Sequence, residues 1–203
     1  MINIENYISK LTDLLHDQYG SRLLYVGLQG SYLRGEATDD SDLDIMVIID
    51  NLQVADLEQY RSVIESMEHF DKACGFICGK ADLAQWNPLE ICHLLHTTKD
   101  YWGTLRDFVP VYFETDIRNY IKISVNNLYH EICHRYIHSD PEKSIAKLAG
   151  TYKGVFFILQ NLYYLTRGEF AATKAELLLL TEGMDRAVLQ RSLDFSNGIS
   201  HDF

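Results

Sequence analysis

Residues 30–44 read GSYLRGEATDDSDLD, and this polar stretch determines how the rest of the chain is interpreted. An apolar run over 23–28 comes directly before it, and a second apolar run over 45–49 comes directly after it. Short apolar runs bounded by glycine, serine and aspartate are typical of buried strands. The sequence therefore predicts two neighbouring strands whose ends meet at a polar segment.

Two carboxylates open the second predicted strand. Asp42 and Asp44 are two residues apart, and side chains with that spacing point to the same face of a strand. Hard divalent ions such as Mg²⁺ choose oxygen ligands, commonly one or two carboxylates completed by water and substrate phosphate. We therefore expect Asp42 and Asp44 to be both metal ligands and catalytic residues.

A phosphate-binding turn is predicted where the first strand ends. Gly30 allows the backbone to approach a phosphate closely, while successive amide N–H groups and the Ser31 hydroxyl can donate hydrogen bonds to its oxygens. The positive end of a short helix starting at Ser31 would add to this attraction. A cradle for phosphate and a metal-binding pair thus lie within fifteen residues of each other.

These motifs together resemble the signature of the DNA polymerase β-like nucleotidyltransferase superfamily: Gly30-Ser31, then Gly35, then Ser41-Asp42-Leu43-Asp44. The resemblance implies that the Gly-Ser turn binds the triphosphate of ATP and that the Asp-x-Asp pair holds Mg²⁺. It also implies transfer of a nucleoside monophosphate to an acceptor. Ser41 and Arg34 are further candidates for nucleotide binding, although Arg34 could equally form a surface salt bridge.

One expected acid is missing. The superfamily normally places a third carboxylate on the next strand, but the predicted third strand over 73–78 contains none, and Cys74 falls at that position. Asp71, just before the strand, is our first candidate for the catalytic base. The other acids considered are Asp82, Glu90, Glu114, Asp116 and Glu131. If none fills the role, the alternative is a catalytically weak or inactive nucleotide-binding protein with a regulatory or antitoxin-like role.

A second resemblance lies in the carboxyl-terminal half. Residues 163–176 are similar to the helical region of aminoglycoside adenylyltransferases, in which a lysine contacts the ATP phosphates. The corresponding residue is Lys174. The alternative interpretation is an ordinary lysine at a helix start, with Thr173 as the cap.

The composition limits the acceptor. Eighteen Lys and Arg against twenty-nine Asp and Glu give a net charge of −11, which disfavours nucleic-acid and membrane-surface binding. The same charge suits a small cationic acceptor such as an aminoglycoside. The sequence shows no membrane-spanning run or signal peptide, and its four cysteines suit reduced thiols, so we expect a cytoplasmic protein. Both a monomer and a homodimer stay open.

The pattern along the chain predicts an α+β protein. Strands alternate with helices up to residue 79, and only helices are predicted after it, including one long helix from Pro141 to Gly168. We divide the chain into a nucleotidyltransferase α/β domain over 1–108 and a helical domain over 109–203. A polar tail is expected over 196–203.

A competing motif is HEICH over 130–134, which fits the zinc-protease pattern His-Glu-x-x-His on a helix. His138 extends this histidine row by one more turn. A zinc protease would also need a third ligand and a substrate-binding edge strand, and no strand is predicted after residue 112. Three histidines on one helix face, at an interface or in solvent, are the simpler interpretation.

Overall fold

A computed structural model of the chain describes residues 2–199, so the predicted tail from 200 onward lies outside the described residues. The chain divides into two compact units, Met1–Val111 and Tyr112–Phe203. The strands, all in the first unit, are β1 Leu23–Leu28, β2 Leu43–Ile49, β3 Ala73–Gly79 and β4 Lys99–Trp102. The helices of this unit are α1 Ile4–Tyr19, α2 Gly30–Arg34, α3 Val54–Glu65, α4 Lys80–Ala84 and α5 Pro88–His96. Those of the second unit are α6 Glu114–His138, α7 Pro141–Ala146, α8 Leu148–Arg167, α9 Lys174–Leu180 and α10 Gly183–Ser196.

The four strands form one mixed sheet in the order β3-β2-β1-β4. β1 pairs antiparallel with both β2 and β4, while β2 and β3 run parallel. Because β2 and β3 are parallel, the start of β3 lies beside the start of β2, where the two predicted metal ligands are. A small mixed sheet followed by a helical region confirms the predicted α+β class.

β2 is buried on both faces of the sheet, since helices cover each side. One face, with Val47 and Ile49, packs in a core with Leu11 and Leu15 of α1. The other face, with Met46 and Ile48, packs in a core with Tyr25, Cys78, Leu83 and Leu105. Asp44 has the same strand parity as Met46 and Ile48, so its side chain belongs to this second face.

The second unit is helical throughout its described residues. Its core contains Phe156 of α8, Ala171, Leu177 of α9 and Leu189 of α10. α6 contributes little to it, because Ile117 and Arg135 are the buried residues among the 25 of this helix. Within residues 2–199, no helix is long and apolar enough to cross a membrane.

Two sequence predictions about the elements are wrong. The prediction of helices alone after residue 79 misses β4, a four-residue strand that pairs with β1. The predicted single helix from Pro141 to Gly168 is two helices, α7 and α8, which meet at Lys147. The first three strands are confirmed within two residues of their predicted bounds.

Candidate nucleotide and metal site

Gly30 lies against the carboxylate of Asp44. It follows β1, opens α2 and has a φ of 70°, a backbone conformation that favours glycine. A Cβ added at this position would overlap the Asp44 carboxylate, so the position also has no room for a side chain. The turn predicted to bind phosphate and one predicted metal ligand are therefore in direct contact.

Asp42 and Asp44 lie at the start of β2, and Asp44 is the strand partner of Cys74. Asp44 is half-buried in β2, and Asp42 is exposed one residue before the strand. Desolvation, the Asp44 carboxylate and, more weakly, the Asp42 carboxylate raise the pKa of the Cys74 thiol. Both acids therefore act electrostatically on the start of β3.

Cys74 occupies the position where the superfamily resemblance implies a third acid. In the parallel β2–β3 pair, Asp44 and Cys74 are partners in register. Partial burial and the neighbouring Asp44 carboxylate, which accepts a hydrogen bond from the thiol, raise the pKa of Cys74. The raised pKa favours the neutral thiol, which adds no negative charge beside Asp44.

Asp71, our first candidate for the catalytic base, lies directly before β3. It lies in the 3₁₀ turn Phe70–Lys72 before β3, is exposed, and has no side-chain hydrogen bond or ion pair with any described residue. Asp71 as catalytic base thus stays a prediction. Throughout residues 2–199, no group of three or more His, Cys, Asp and Glu side chains is arranged to hold a metal ion.

The other acids considered have different surroundings. Asp82 approaches Gly79 and raises the pKa of Cys78, at the opposite end of β3 from Cys74. Glu90 accepts a hydrogen bond of 2.7 Å from the indole N–H of Trp86. Glu114, Asp116 and Glu131 belong to α6 in the second unit.

Three predicted nucleotide-binding residues have local partners. Arg34 forms an ion pair with Glu36 at 2.8 Å, which agrees with the alternative interpretation of Arg34 as part of a surface salt bridge. The Ser41 hydroxyl accepts a hydrogen bond of 2.8 Å from the Thr38 amide, which stabilises the turn before β2. Lys174 begins α9 in the second unit and lies with its Nζ 6.0 Å from the centroid of the Phe156 ring.

Sequence reasoning missed the side chains that anchor the turn. The Gln29 side-chain N–H donates to Thr98 Oγ1 at 2.8 Å, and the Thr98 hydroxyl donates to the Leu94 carbonyl at 2.7 Å. The Gln29 backbone N–H donates to the Asp44 carbonyl at 2.8 Å. Gln29 therefore ties the start of α2 to both β2 and the end of α5. Its position directly before Gly30 was the available signal.

His93 is a second missed residue. Burial, reinforced by the neighbouring His96 and Arg34, lowers the pKa of His93 to about 4. The ring is therefore neutral at physiological pH and lies on α5 within electrostatic reach of Arg34 at the end of α2.

Comparison with known proteins finds a nucleotidyltransferase domain in the part of the chain that contains the candidate site. The family model described as "Nucleotidyltransferase domain" matches residues 8–75. A curated chain of Methanocaldococcus jannaschii, to which protein adenylyltransferase activity is attributed by inference, is 37% identical over 65 residues. These residues are 32% of this chain. The match spans 63% of the length of that relative.

A solved structure shares the fold at low sequence identity. Spectinomycin adenyltransferase AAD(9) from Enterococcus faecialis, solved with ATP and spectinomycin, aligns at a TM-score of 0.56 and 14% identity. The alignment covers 99% of this chain and 92% of that one. A toxin–antitoxin structure with AMP-PNP aligns at a TM-score of 0.37 and 21% identity over 67% of this chain and 94% of that one, too low to support a function.

The stretch matched by the family model coincides with the candidate site. The matched residues 8–75 contain β1, the Gly-Ser turn, β2 and the Asp-x-Asp pair. They extend into β3 as far as Gly75, one residue beyond Cys74. Residues 8–75, which contain the candidate site, thus match a nucleotidyltransferase domain, and the chain shares its fold with AAD(9).

Proposed function

We propose that this protein transfers AMP from ATP to a hydroxyl group of a small acceptor in a Mg²⁺-dependent reaction. One observation carries the proposal. The Asp44 carboxylate lies against Gly30, so that a phosphate bound at the turn and a cation bound by the acids would be neighbours. Phosphoryl and nucleotidyl transfer need this adjacency because the negative charge of the phosphates must be neutralised where the bond breaks.

The donor set fits Mg²⁺. Asp42 and Asp44 supply carboxylate oxygens, which hard cations prefer, and a two-carboxylate site leaves the remaining positions to water and phosphate. When bound, Mg²⁺ would neutralise charge on the phosphates and stabilise the leaving pyrophosphate. The chain's own part is to orient the triphosphate through the Gly30 and Ser31 backbone amides and the Ser31 hydroxyl.

Further roles in this proposal concern the remaining predicted residues. Arg34, Ser41 and Lys174 would contact phosphate oxygens, with Lys174 contributed by the predicted helical domain 109–203. Asp71 would accept the proton of the attacking hydroxyl in the predicted domain 1–108. Arg34 would exchange its Glu36 partner, at 2.8 Å, for a phosphate.

The nature of the acceptor is inferred from charge and from the relatives. The net charge of −11 favours a cationic molecule. The protein sharing the fold across 99% of this chain is a spectinomycin adenyltransferase. We therefore place a small cationic antibiotic-like acceptor first, in a cytoplasmic setting. A protein acceptor, suggested by the name of the archaeal relative, is the alternative substrate.

A second function is favoured by Cys74. A protonated thiol beside Asp44 leaves the site one carboxylate short of the superfamily pattern. The protein would then bind ATP and transfer slowly or not at all, as a regulatory or antitoxin-like partner of another protein.

The two functions are separated by incubating the protein with labelled ATP, Mg²⁺ and a panel of aminoglycosides, lincosamides and the protein itself. The enzyme gives a labelled product that disappears in Asp44→Asn and persists in Asp40→Asn, an exposed acid of the preceding turn. Stabilisation by ATP without product across the panel supports the regulatory function. Absence of both product and ATP binding contradicts both.

A further inference from the structure

The histidines of α6 form a row in the second unit. His130, His134 and His138 are spaced by four residues, so they lie on one face of the helix, one above the other. The ring centroids of His130 and His134 are 6.1 Å apart, and those of His134 and His138 are 4.8 Å apart. The last two rings are therefore the closer pair.

The nitrogens of these rings are accessible. All three side chains are exposed, and none makes a hydrogen bond or ion pair with another described residue. Imidazole is a good ligand for late transition metals, and two imidazoles one helical turn apart can bind the same ion through adjacent coordination positions.

The carboxyl-terminal end of α6 also favours a bound cation. α6 ends at His138, and the last carbonyl groups of a helix carry partial negative charge. A cation held between His134 and His138 would lie beside this end of the helix dipole. The pair nearest the helix end is also the pair with the shorter ring separation.

A zinc-protease centre does not fit the same residues. Glu131, which would have to activate water, is ion-paired with Arg135 at 3.6 Å. The second unit has no strand among its described residues to align a peptide substrate. No third His, Cys, Asp or Glu within residues 2–199 completes the set. The row thus suits an ion held by two protein ligands, with water in its other positions.

We propose that His134 and His138 form a binding site for a divalent late transition-metal ion, of the class Ni²⁺, Cu²⁺ and Zn²⁺. Binding bridges the last turn of α6 and stabilises it. The two sites would take different ions, because imidazole nitrogens bind late transition metals whereas the Asp42 and Asp44 carboxylates prefer Mg²⁺.

Titration of the full-length, untagged protein with Ni²⁺ by calorimetry tests the site. We expect one ion per chain and at least tenfold weaker binding in His134→Asn and in His138→Asn. His130→Asn should weaken binding less, since its ring is farther away. His69→Asn is the matched control, as His69 is exposed in the first unit and its left-handed backbone tolerates asparagine.

Two further measurements keep the result interpretable. Ni²⁺ should raise the melting temperature of the wild type and of Asp44→Asn, but not of the double variant His134→Asn with His138→Asn. Cys133→Ser should leave the affinity unchanged, which separates the histidines from the neighbouring thiol. Equal Ni²⁺ affinity in the wild type and the double variant would overturn the proposal, as would loss of binding in Cys133→Ser alone.

Discussion

Asp44 on β2 and Cys74 on β3 are direct partners in the parallel strand pair, and the thiol donates a hydrogen bond to the carboxylate. A neutral side chain therefore stands beside the acid pair at the position where the superfamily resemblance implies a third carboxylate. Under the proposed function, this relationship separates a fully competent metal site from a weakened one, and a single substitution tests it.

Cys74→Asp should convert the pair of acids into a triad. We expect at least tenfold tighter Mg²⁺ binding and a similar gain in AMP transfer, because the third carboxylate adds an oxygen ligand of opposite charge. Without Mg²⁺, repulsion among three acids should lower the melting temperature. Calorimetry with Mg²⁺ and ATP measures the affinity, and Cys74→Ser is the neutral control. An affinity equal to that of the wild type would contradict this interpretation of the site.

Gly30→Ala should damage the site more than Gly35→Ala. Both glycines have a positive φ, of 70° and 68°, which costs alanine roughly 1–2 kcal/mol. Only at Gly30 does the added Cβ overlap Asp44, and such overpacking adds roughly 1–3 kcal/mol. Chemical denaturation measures the difference, and ATP binding should be lost only in Gly30→Ala. Equal effects of the two substitutions would show that the contact with Asp44 is unimportant.

The hydrogen bond between Gln29 and Thr98 should contribute to ATP affinity as well as stability. We expect Gln29→Leu and Thr98→Val each to cost about 1 kcal/mol of unfolding free energy, and the double variant to cost less than their sum. Each single variant should also bind ATP several-fold more weakly, because the start of α2 loses its link to α5. Strict additivity in the double-mutant cycle would show that the two side chains act separately.

His93 should make stability depend on pH. Its folded pKa of about 4 lies below the ordinary value of 6.5, so the unfolded chain binds the proton more readily. The contribution is complete above about pH 6.5 and is lost as the pH falls toward 4, by on the order of 3 kcal/mol. His93→Gln should flatten this part of the stability curve, while His69→Gln should leave it unchanged. A curve for His93→Gln parallel to that of the wild type counts against a buried neutral ring.

Lys174→Gln should weaken ATP binding roughly ten- to a hundredfold, because a charged hydrogen bond to phosphate contributes roughly 1.5–3 kcal/mol. Lys153→Gln, at an exposed lysine of α8, is the control for a change of net charge. Calorimetry of both variants with ATP gives the comparison. If both bind as the wild type does, Lys174 is an ordinary lysine at the start of a helix, behind its Thr173 cap.

The parts of the fold that follow from local patterns could be predicted from the sequence. β1, β2 and β3 are apolar runs bounded by polar residues. β1 and β2 are buried along nearly their whole length, whereas β3 is buried only at Cys78 and Gly79. β4 could not be recognised, because its four residues Lys99–Trp102 are mostly exposed and become a strand only through pairing with β1. The break between α7 and α8 at Lys147 likewise has no proline or glycine to mark it.

The candidate site likewise has features that could be predicted from the sequence and features that could not. The closeness of Gly30 and Asp44 was predictable because both flank short neighbouring strands, and the absence of an acid in β3 was visible in the sequence. The Gln29–Thr98 hydrogen bond was not predictable, since it joins residues 69 positions apart through a side chain with no characteristic motif. The bond forms because Thr98 lies between the end of α5 and β4, and neither position could be inferred from the sequence.

The pairing of β4 with β1 has a practical consequence for dissecting this chain. The family match ends at residue 75, but a piece cut there would leave β1 as an open sheet edge with its backbone N–H and C=O groups available to other molecules. Such a fragment should self-associate rather than stay dispersed. A fragment that is meant to fold and to be inserted into another protein should therefore include the whole first unit, up to residue 111.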